Sequence, residues 1–180
     1  MTRLSRFEQS VLPHLDAAYN LARWLTRNDH DAEDVVQEAM IRAFRFFDSL
    51  RGEDARPWLL RIVRNTCYSW LERNRPGDVV PLDDVGPIDA ESESAGHAAP
   101  AATNPEVILL QRAGAKVLNQ ALEELAAGHR EVLVLRELED LSYREIAAIA
   151  GIPLGTVMSR LARAREQLRR LLDIRERKAS

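Results

Sequence analysis

From Leu4 to Arg73 the apolar residues recur at spacings of three and four, the period of helices with one buried face. The pattern predicts helices over 4–27, 31–48 and 56–73. Asn28 and Asp29 interrupt the first pair, and Asp31, Glu33 and Asp34 suit the positive end of the second helix. After a break the same period returns, predicting helices over 105–126, 129–139, 143–150 and 154–173. No segment has the alternating β-branched pattern of a strand, so the expected fold class is all-α.

The break reads DVVPLDDVGPIDAESESAGHAAPAATN, residues 78–104, with six acids and no base. It has no sustained amphipathic period, and its composition is that of a flexible, self-repelling linker. A long surface loop inside one domain is the alternative, but a structureless loop of this length is uncommon in a compact domain. The expected organisation is therefore two small helical domains, 1–77 and 105–180, joined by an acidic linker. The net charge of −3 hides an uneven distribution: residues 156–178 carry eight bases against three acids. An acidic chain can thus still offer a basic helix to phosphate.

Composition narrows the function further. No run of about 18 apolar residues is present, so no membrane insertion is expected. The N-terminus lacks the apolar core and cleavage site of a secretory signal, which points to the cytoplasm. The single cysteine, Cys67, has no disulfide partner and no neighbouring Cys/His set, and the four histidines do not cluster. With no Ser/His/Asp set and no phosphate-binding glycine loop, the reading is of a chain without metal, cofactor or catalytic site.

The C-terminal part carries a more specific signal. Ser142 followed by Glu145 is a capping box. Tyr143 to Ala150 then makes a short helix, with Gly151 placed to end it in a left-handed conformation. Ile152-Pro153 opens the next element. A short helix, a glycine-containing turn and a second helix is the helix-turn-helix layout, although an αα-hairpin in a bundle shares it. The helical wheel of the second element favours DNA. Val157, Leu161, Ala164, Leu168, Leu171 and Leu172 form one apolar stripe. Thr156, Ser159, Arg160, Arg163, Gln167 and Arg170 fall opposite, and residues at the N-terminal end of such a face are those that enter a major groove. Arg suits guanine edges and phosphate, and Thr and Ser suit phosphate or base edges. Met158 lies on a flank with Arg165 and Arg169.

The stretch LEELAAGHREVLVLRELEDLSYREIAAIAGIPLGTVMSRLARAREQLRRLL closely resembles the C-terminal DNA-binding domain of bacterial sigma factors of the extracytoplasmic-function group. DAEDVVQEAMIRAFRFFDSLRG followed by WLLRIVRNTCYSWLERNRP resembles the other conserved sigma domain. Two blocks in the right order, separated by an acidic linker, cover most of the chain. One departure is local: Ala127-Gly128 stands where the family usually has Leu-Pro.

The resemblance implies partners and residues. Core RNA polymerase would dock on the helix DAEDVVQEAMIRAF. Its wheel puts Val35, Val36, Ala39, Met40, Ala43, Phe46 and Phe47 toward the core, and leaves Asp34, Gln37, Glu38, Ile41 and Arg45 as a mixed docking face. The helix from Pro57 to Arg73 would read the melted −10 promoter element. It buries Leu59, Leu60, Val63, Cys67, Trp70 and Leu71 and offers Arg61, Arg64, Asn65 and Tyr68, with Asn65 matching the family's RIxxN pattern. The preceding loop, through Leu50 and Arg51, would capture a flipped base. Thr156, Ser159, Arg160, Arg163 and Gln167 would read the −35 element. The acidic linker would thread a basic channel of the polymerase, and an anti-sigma factor would hold the protein inactive. Two rivals keep the same helices: a helix-turn-helix repressor or activator binding duplex DNA as a dimer, and a sigma mimic that sequesters an anti-sigma factor.

Overall fold

The computed structural model describes residues 1–52, 54–79, 82 and 105–180, with backbone only for 105–113. Most of the expected 78–104 linker, and with it the proposed path through the polymerase, lies outside the described residues. Among those described there are eight α-helices and no strand. The first domain holds α1 (Arg3–Val11), α2 (Leu15–Thr26), α3 (Asp29–Phe46) and α4 (Ala55–Asn74). The second holds α5 (Pro105–Glu124), α6 (Ala127–Leu133), α7 (Tyr143–Ala150) and α8 (Leu154–Ala179).

The single helix expected over 4–27 is two. Pro13 lacks an N–H and its ring would strike the carbonyl four residues back, and a 3₁₀ turn at Leu12–His14 takes up the break. The next boundary follows the side chains. Arg27 adopts a left-handed conformation (φ 57°) and Asn28 caps α3, its side-chain oxygen accepting from the Asp31 N–H at 3.0 Å.

The last four carbonyls of α2 show why that end is firm. A helix cannot satisfy these groups itself. Arg23 O accepts from the Arg27 N–H at 2.9 Å, and Thr26 O from Arg75 Nη1 at 2.7 Å. Trp24 O and Leu25 O accept from Arg130, at 2.6 and 3.4 Å. Two of the four partners thus come from a residue of the second domain.

The first core is built from the facing stripes of α2, α3 and α4, with Leu21, Val35, Leu59, Leu60, Val63 and Cys67 fully buried. Phe7 of α1 closes one end, edge-on to Phe44 and Phe47 with ring centres 5.2 and 5.4 Å away. Burial raises the Cys67 thiol well above its ordinary pKa, and the Glu131 carboxylate adds to this. Cys67 is therefore an inert packing group.

In the second domain the expected capping box is formed. Ser142 Oγ accepts from the Glu145 N–H at 3.2 Å, and a Glu145 carboxylate oxygen accepts from the Ser142 N–H at 2.7 Å. Gly151 ends α7 at φ 68°, and α8 leaves at a bend of 100°, within the range of a helix-turn-helix. The helix expected over 129–139 starts at Ala127 and widens into a π-turn over Val134–Leu138. The Glu139 N–H reaches back five residues to Val134 O at 3.1 Å, and both Leu135 and Leu141 are buried. No single described helix is long and apolar enough to cross a membrane.

The two domains pack on each other, α2 against α6 and α4 against α7. Buried apolar residues of both domains form one cluster, and the Arg64–Glu131 and Arg56–Glu139 ion pairs also cross the contact.

Candidate polymerase and nucleic-acid interfaces

The mixed face of α3 is open. Asp34, Gln37 and Arg45 are exposed and Ile41 is 64% exposed. Glu38, half-buried, is braced by Arg42 one turn on and by Arg73 of α4, 3.5 Å away. Its core arc differs from the wheel at one end. Phe46 is 56% exposed because α3 tightens there into a 3₁₀ turn at Phe47–Ser49, so the 100° step fails and Phe47 takes the buried place. Ile41 and Phe46 leave α3 with two exposed large apolar side chains among its polar ones.

The face of α4 divides. Arg61 and Asn65 are exposed, but Arg64 and Tyr68 turn into the interdomain contact. Arg64 Nε donates to Glu131 Oε1 at 2.7 Å and the Tyr68 hydroxyl donates to Glu131 Oε2 at 2.9 Å. The Arg64 guanidinium lies 4.0 Å above the Tyr68 ring, a cation–π distance. Glu131 has no exposed side-chain surface, and Arg64 keeps 19%. Burial alone would lower the Arg64 pKa, but the Glu131 carboxylate outweighs it and the net shift is upward. Burial, then the same carboxylate, raises the Tyr68 phenol far above its usual range. The expectation that Arg64 and Tyr68 face solvent is thus corrected: in this conformation one carboxylate holds both.

The loop before α4 places Arg51 in solvent and packs Leu50, half-buried, against the core. Gly52 takes φ 64° there, and the Asp54 side chain caps α4, accepting from the Arg56 N–H at 3.0 Å. Residue 53 lies outside the described residues. Trp58 stacks edge-on to Phe47 and Trp70 lies under Arg75, so both act in packing.

The −35 set also differs from its wheel. Thr156, Arg160, Arg163 and Gln167 are half-buried. Ser159, expected opposite the core, is only 8% exposed, and its hydroxyl donates to Thr156 O at 3.1 Å. The first turns of α8 are flanked by both α6 and α7, so the covered arc is wider than one apolar stripe. Arg160 reaches a cavity of about 120 Å³ that it lines with Arg64, Tyr68, Val79, Leu82, Ala127 and Gly128. Members of the −10 and −35 sets, expected on separate surfaces, therefore meet in one cleft. Met158 stands outside it, 38% exposed.

Sequence reasoning missed residues that join the two domains. Glu131 is joined by Glu139, 8% exposed, which accepts from Arg56 Nη2 at 2.9 Å and from Asn20 Nδ2 at 2.8 Å. Arg130, 2% exposed, gives its hydrogen bonds to carbonyls of both domains. Burial lowers its pKa to about 10, which leaves it charged at neutral pH. The one available signal was that HREVLVL puts a charged pair at the head of an apolar run, where it reads as a solvated face.

Comparison with known proteins agrees with the two blocks read from the sequence. Residues 11–76 match the family model for sigma-70 region 2, and residues 115–168 match that for sigma-70 region 4. The chain is 43% identical to the ECF RNA polymerase sigma-E factor of Escherichia coli K12 over 141 residues, spanning 77% of this chain and 72% of that protein. It is 38% identical to the Haemophilus influenzae sigma-E factor, spanning 92% of this chain and 82% of that one. Among solved structures, the sigma factor RpoE in complex with the anti-sigma factor NepR from Bartonella quintana is similar with a TM-score of 0.68 at 29% identity. That similarity covers 94% of this chain and 98% of RpoE. CnrH, in complex with the cytosolic domain of CnrY, gives 0.64 at 27% identity, over 95% and 90%. With a capped helix-turn-helix in one domain, an open mixed helix in the other, and relatives at this identity over most of their length, the chain belongs to the extracytoplasmic-function group of the sigma-70 family of RNA polymerase sigma factors.

Proposed function

We propose that the chain docks on core RNA polymerase through α3 and positions two DNA-reading surfaces, acting in the cytoplasm as a promoter-specificity subunit without chemistry of its own. Asp34, Gln37, Glu38, Ile41 and Arg45 form the docking face. An apolar side chain ringed by polar groups is the usual centre of such a contact. The supporting observation is that this face stands open around the exposed Ile41.

Arg61, Arg64, Asn65 and Tyr68 would engage the melted −10 element, Tyr68 by stacking on an unpaired base and Asn65 by hydrogen bonds to a base edge. Leu50 and Arg51 would border the pocket for the flipped base. Thr156, Arg160, Arg163 and Gln167 would read the −35 duplex from α8, and Ser159 would orient the helix start through Thr156. The domains are taken as 1–77 and 105–180, joined by an acidic linker. An anti-sigma factor, of the kind found in complex with the relative RpoE, would hold the chain inactive by covering the polymerase-binding face.

In vitro transcription with core polymerase and a set of promoter templates tests this. Promoter-dependent transcripts that require the chain are expected. A footprint on duplex DNA formed equally well without polymerase would instead mark an ordinary helix-turn-helix regulator.

A further inference from the structure

We infer that Arg3 is a positioning residue for the base-capture loop: from α1 it ties down the turn by which the chain leaves α3 and enters Leu50 and Arg51. This rests on the assignment of Leu50 and Arg51 to the flipped base under Proposed function.

Arg3 carries a charge at the wrong end of its own helix. It opens α1, where Thr2 caps by accepting from the Ser5 N–H at 3.1 Å and no acid stands in the first turn. A cation there opposes the helix dipole. The guanidinium instead crosses to the C-terminal end of α3, where the dipole favours a cation and the last carbonyls lack partners within the helix. Arg3 Nη2 donates to Phe44 O at 2.9 Å and to Arg45 O at 3.3 Å, and it lies 3.1 Å from Asp48 Oδ2. The group also stands 4.8 Å over the Phe44 ring, a cation–π distance. Its Nε is buried with no hydrogen-bond partner among the described residues. An N–H withheld from water costs free energy, so these acceptors and the ring draw the side chain in against that cost.

The bonds run on into the loop. Phe46 O accepts from Ser49 Oγ at 2.6 Å, and Phe47 O accepts from the Leu50 N–H at 3.0 Å. Leu50 then packs, half-buried, against the core, and Arg51 and Gly52 lead into solvent. These inner bonds each span three residues, whereas Arg3 reaches the same turn from 41 positions away. Phe7, one helical turn after Arg3, is buried edge-on against both Phe44 and Phe47. One short helix thus grips the turn at an apolar and a cationic point. Arg3 and Phe7 both precede residues 11–76, the stretch that matches sigma-70 region 2, so the brace lies outside the family's own pattern. A pocket that captures a flipped base binds best when it is already ordered, because ordering a loop on binding costs affinity. Arg3 supplies that order without touching DNA.

Holoenzyme assembled from core polymerase and the full chain tests this. The probe is the non-template strand of a promoter found active in the transcription assay, with abasic sites placed one at a time along its −10 element. The position whose base is captured is expected to show a loss of affinity of about tenfold when abasic. Leu50→Ala should shrink that loss. Arg3→Met keeps a stem over Phe44 and removes the donors, and it should shrink the loss at the same position to about threefold or less, with co-purification on core polymerase unchanged. Asp48→Arg, at a site 70% exposed, sets a like charge against Arg3 and should act in the same direction. A loss that Leu50→Ala shrinks but Arg3→Met leaves whole overturns the role of Arg3. Where Arg3→Met does not fold, the same result with Asp48→Arg overturns it. An abasic profile that Leu50→Ala leaves unchanged overturns the assignment of Leu50 and Arg51 to the flipped base, and the role of Arg3 with it.

Discussion

Helices α3 and α4 are neighbours in one domain, and each carries a polar face that the helical wheel reads equally well. Their fates differ. The face of α3 is exposed along Asp34, Gln37, Ile41 and Arg45, whereas half of the α4 face is held by Glu131 from the other domain. The difference lies in the chemistry of what each face offers. The α3 face mixes acids, an amide, an arginine and an isoleucine, and it stays largely exposed. The α4 face offers cationic and phenolic donors, which any acidic group of the same chain can satisfy. A face of cationic and phenolic donors is thus open to capture by the protein's own carboxylates.

The largest expected effect falls on the residue that couples the two regions. Arg130→Met leaves carbonyls of both domains without donors. Charge-assisted bonds of this kind are each worth about 1.5–3 kcal/mol, so urea unfolding should show a loss of roughly 3 kcal/mol or more; a loss under about 1 kcal/mol would mean that water replaces the guanidinium. Next, Asp34→Arg with Ile41→Arg should abolish co-purification with core polymerase, a loss of about 2 kcal/mol or more as for an interface centre. The compactness of the free chain should not change, which separates the open face from the covered one.

The double change Arg160→Ala, Arg163→Ala should weaken −35 binding by about 1–3 kcal/mol for each base edge no longer read; an equal weakening on scrambled DNA would assign both to phosphate. A smaller effect is expected from pH. Cys67 and Tyr68 both have raised pKa values in the fold, so above the thiol's ordinary value of about 8.5 the unfolded chain loses protons that the folded chain keeps. Stability should be full below that pH and fall as pH rises through about 9 to 11, to about the same degree at low and high salt because the groups are buried. The smallest effect belongs to Met158→Arg, at 38% exposure outside the cleft. It should add about one phosphate contact, steepening the salt dependence by about one with little change in sequence preference.

What the sequence made legible follows from which interactions are local. The capping box at Ser142 and Glu145, the left-handed Gly151, the Asn28 boundary and the buried stripe of α4, apart from the half-buried Trp70, are all set by residues within a turn or two of each other, and periodicity finds them. Pro13 was legible in principle, since its missing N–H predicts a break. Phe46 and Ser159 were misplaced for a shared reason. A wheel assumes one helical step and one covering neighbour, but α3 tightens at its end and α8 packs against α5, α6 and α7. The Arg64–Glu131 contact was not legible at all. Arg64 and Glu131 stand 67 positions apart, and each looks like an ordinary surface charge until the other is placed against it.

The Arg130 contact has a consequence for how such proteins change over evolutionary time. Its partners in the first domain are main-chain oxygens of Trp24 and Leu25, not side chains. Any residue at those positions presents the same carbonyl, so drift there cannot break the contact and leaves no compensating substitution behind. A search for co-varying positions would see the Arg64–Glu131 pair, where both partners are side chains, and be blind to the arginine that stands next to Glu131 in the chain.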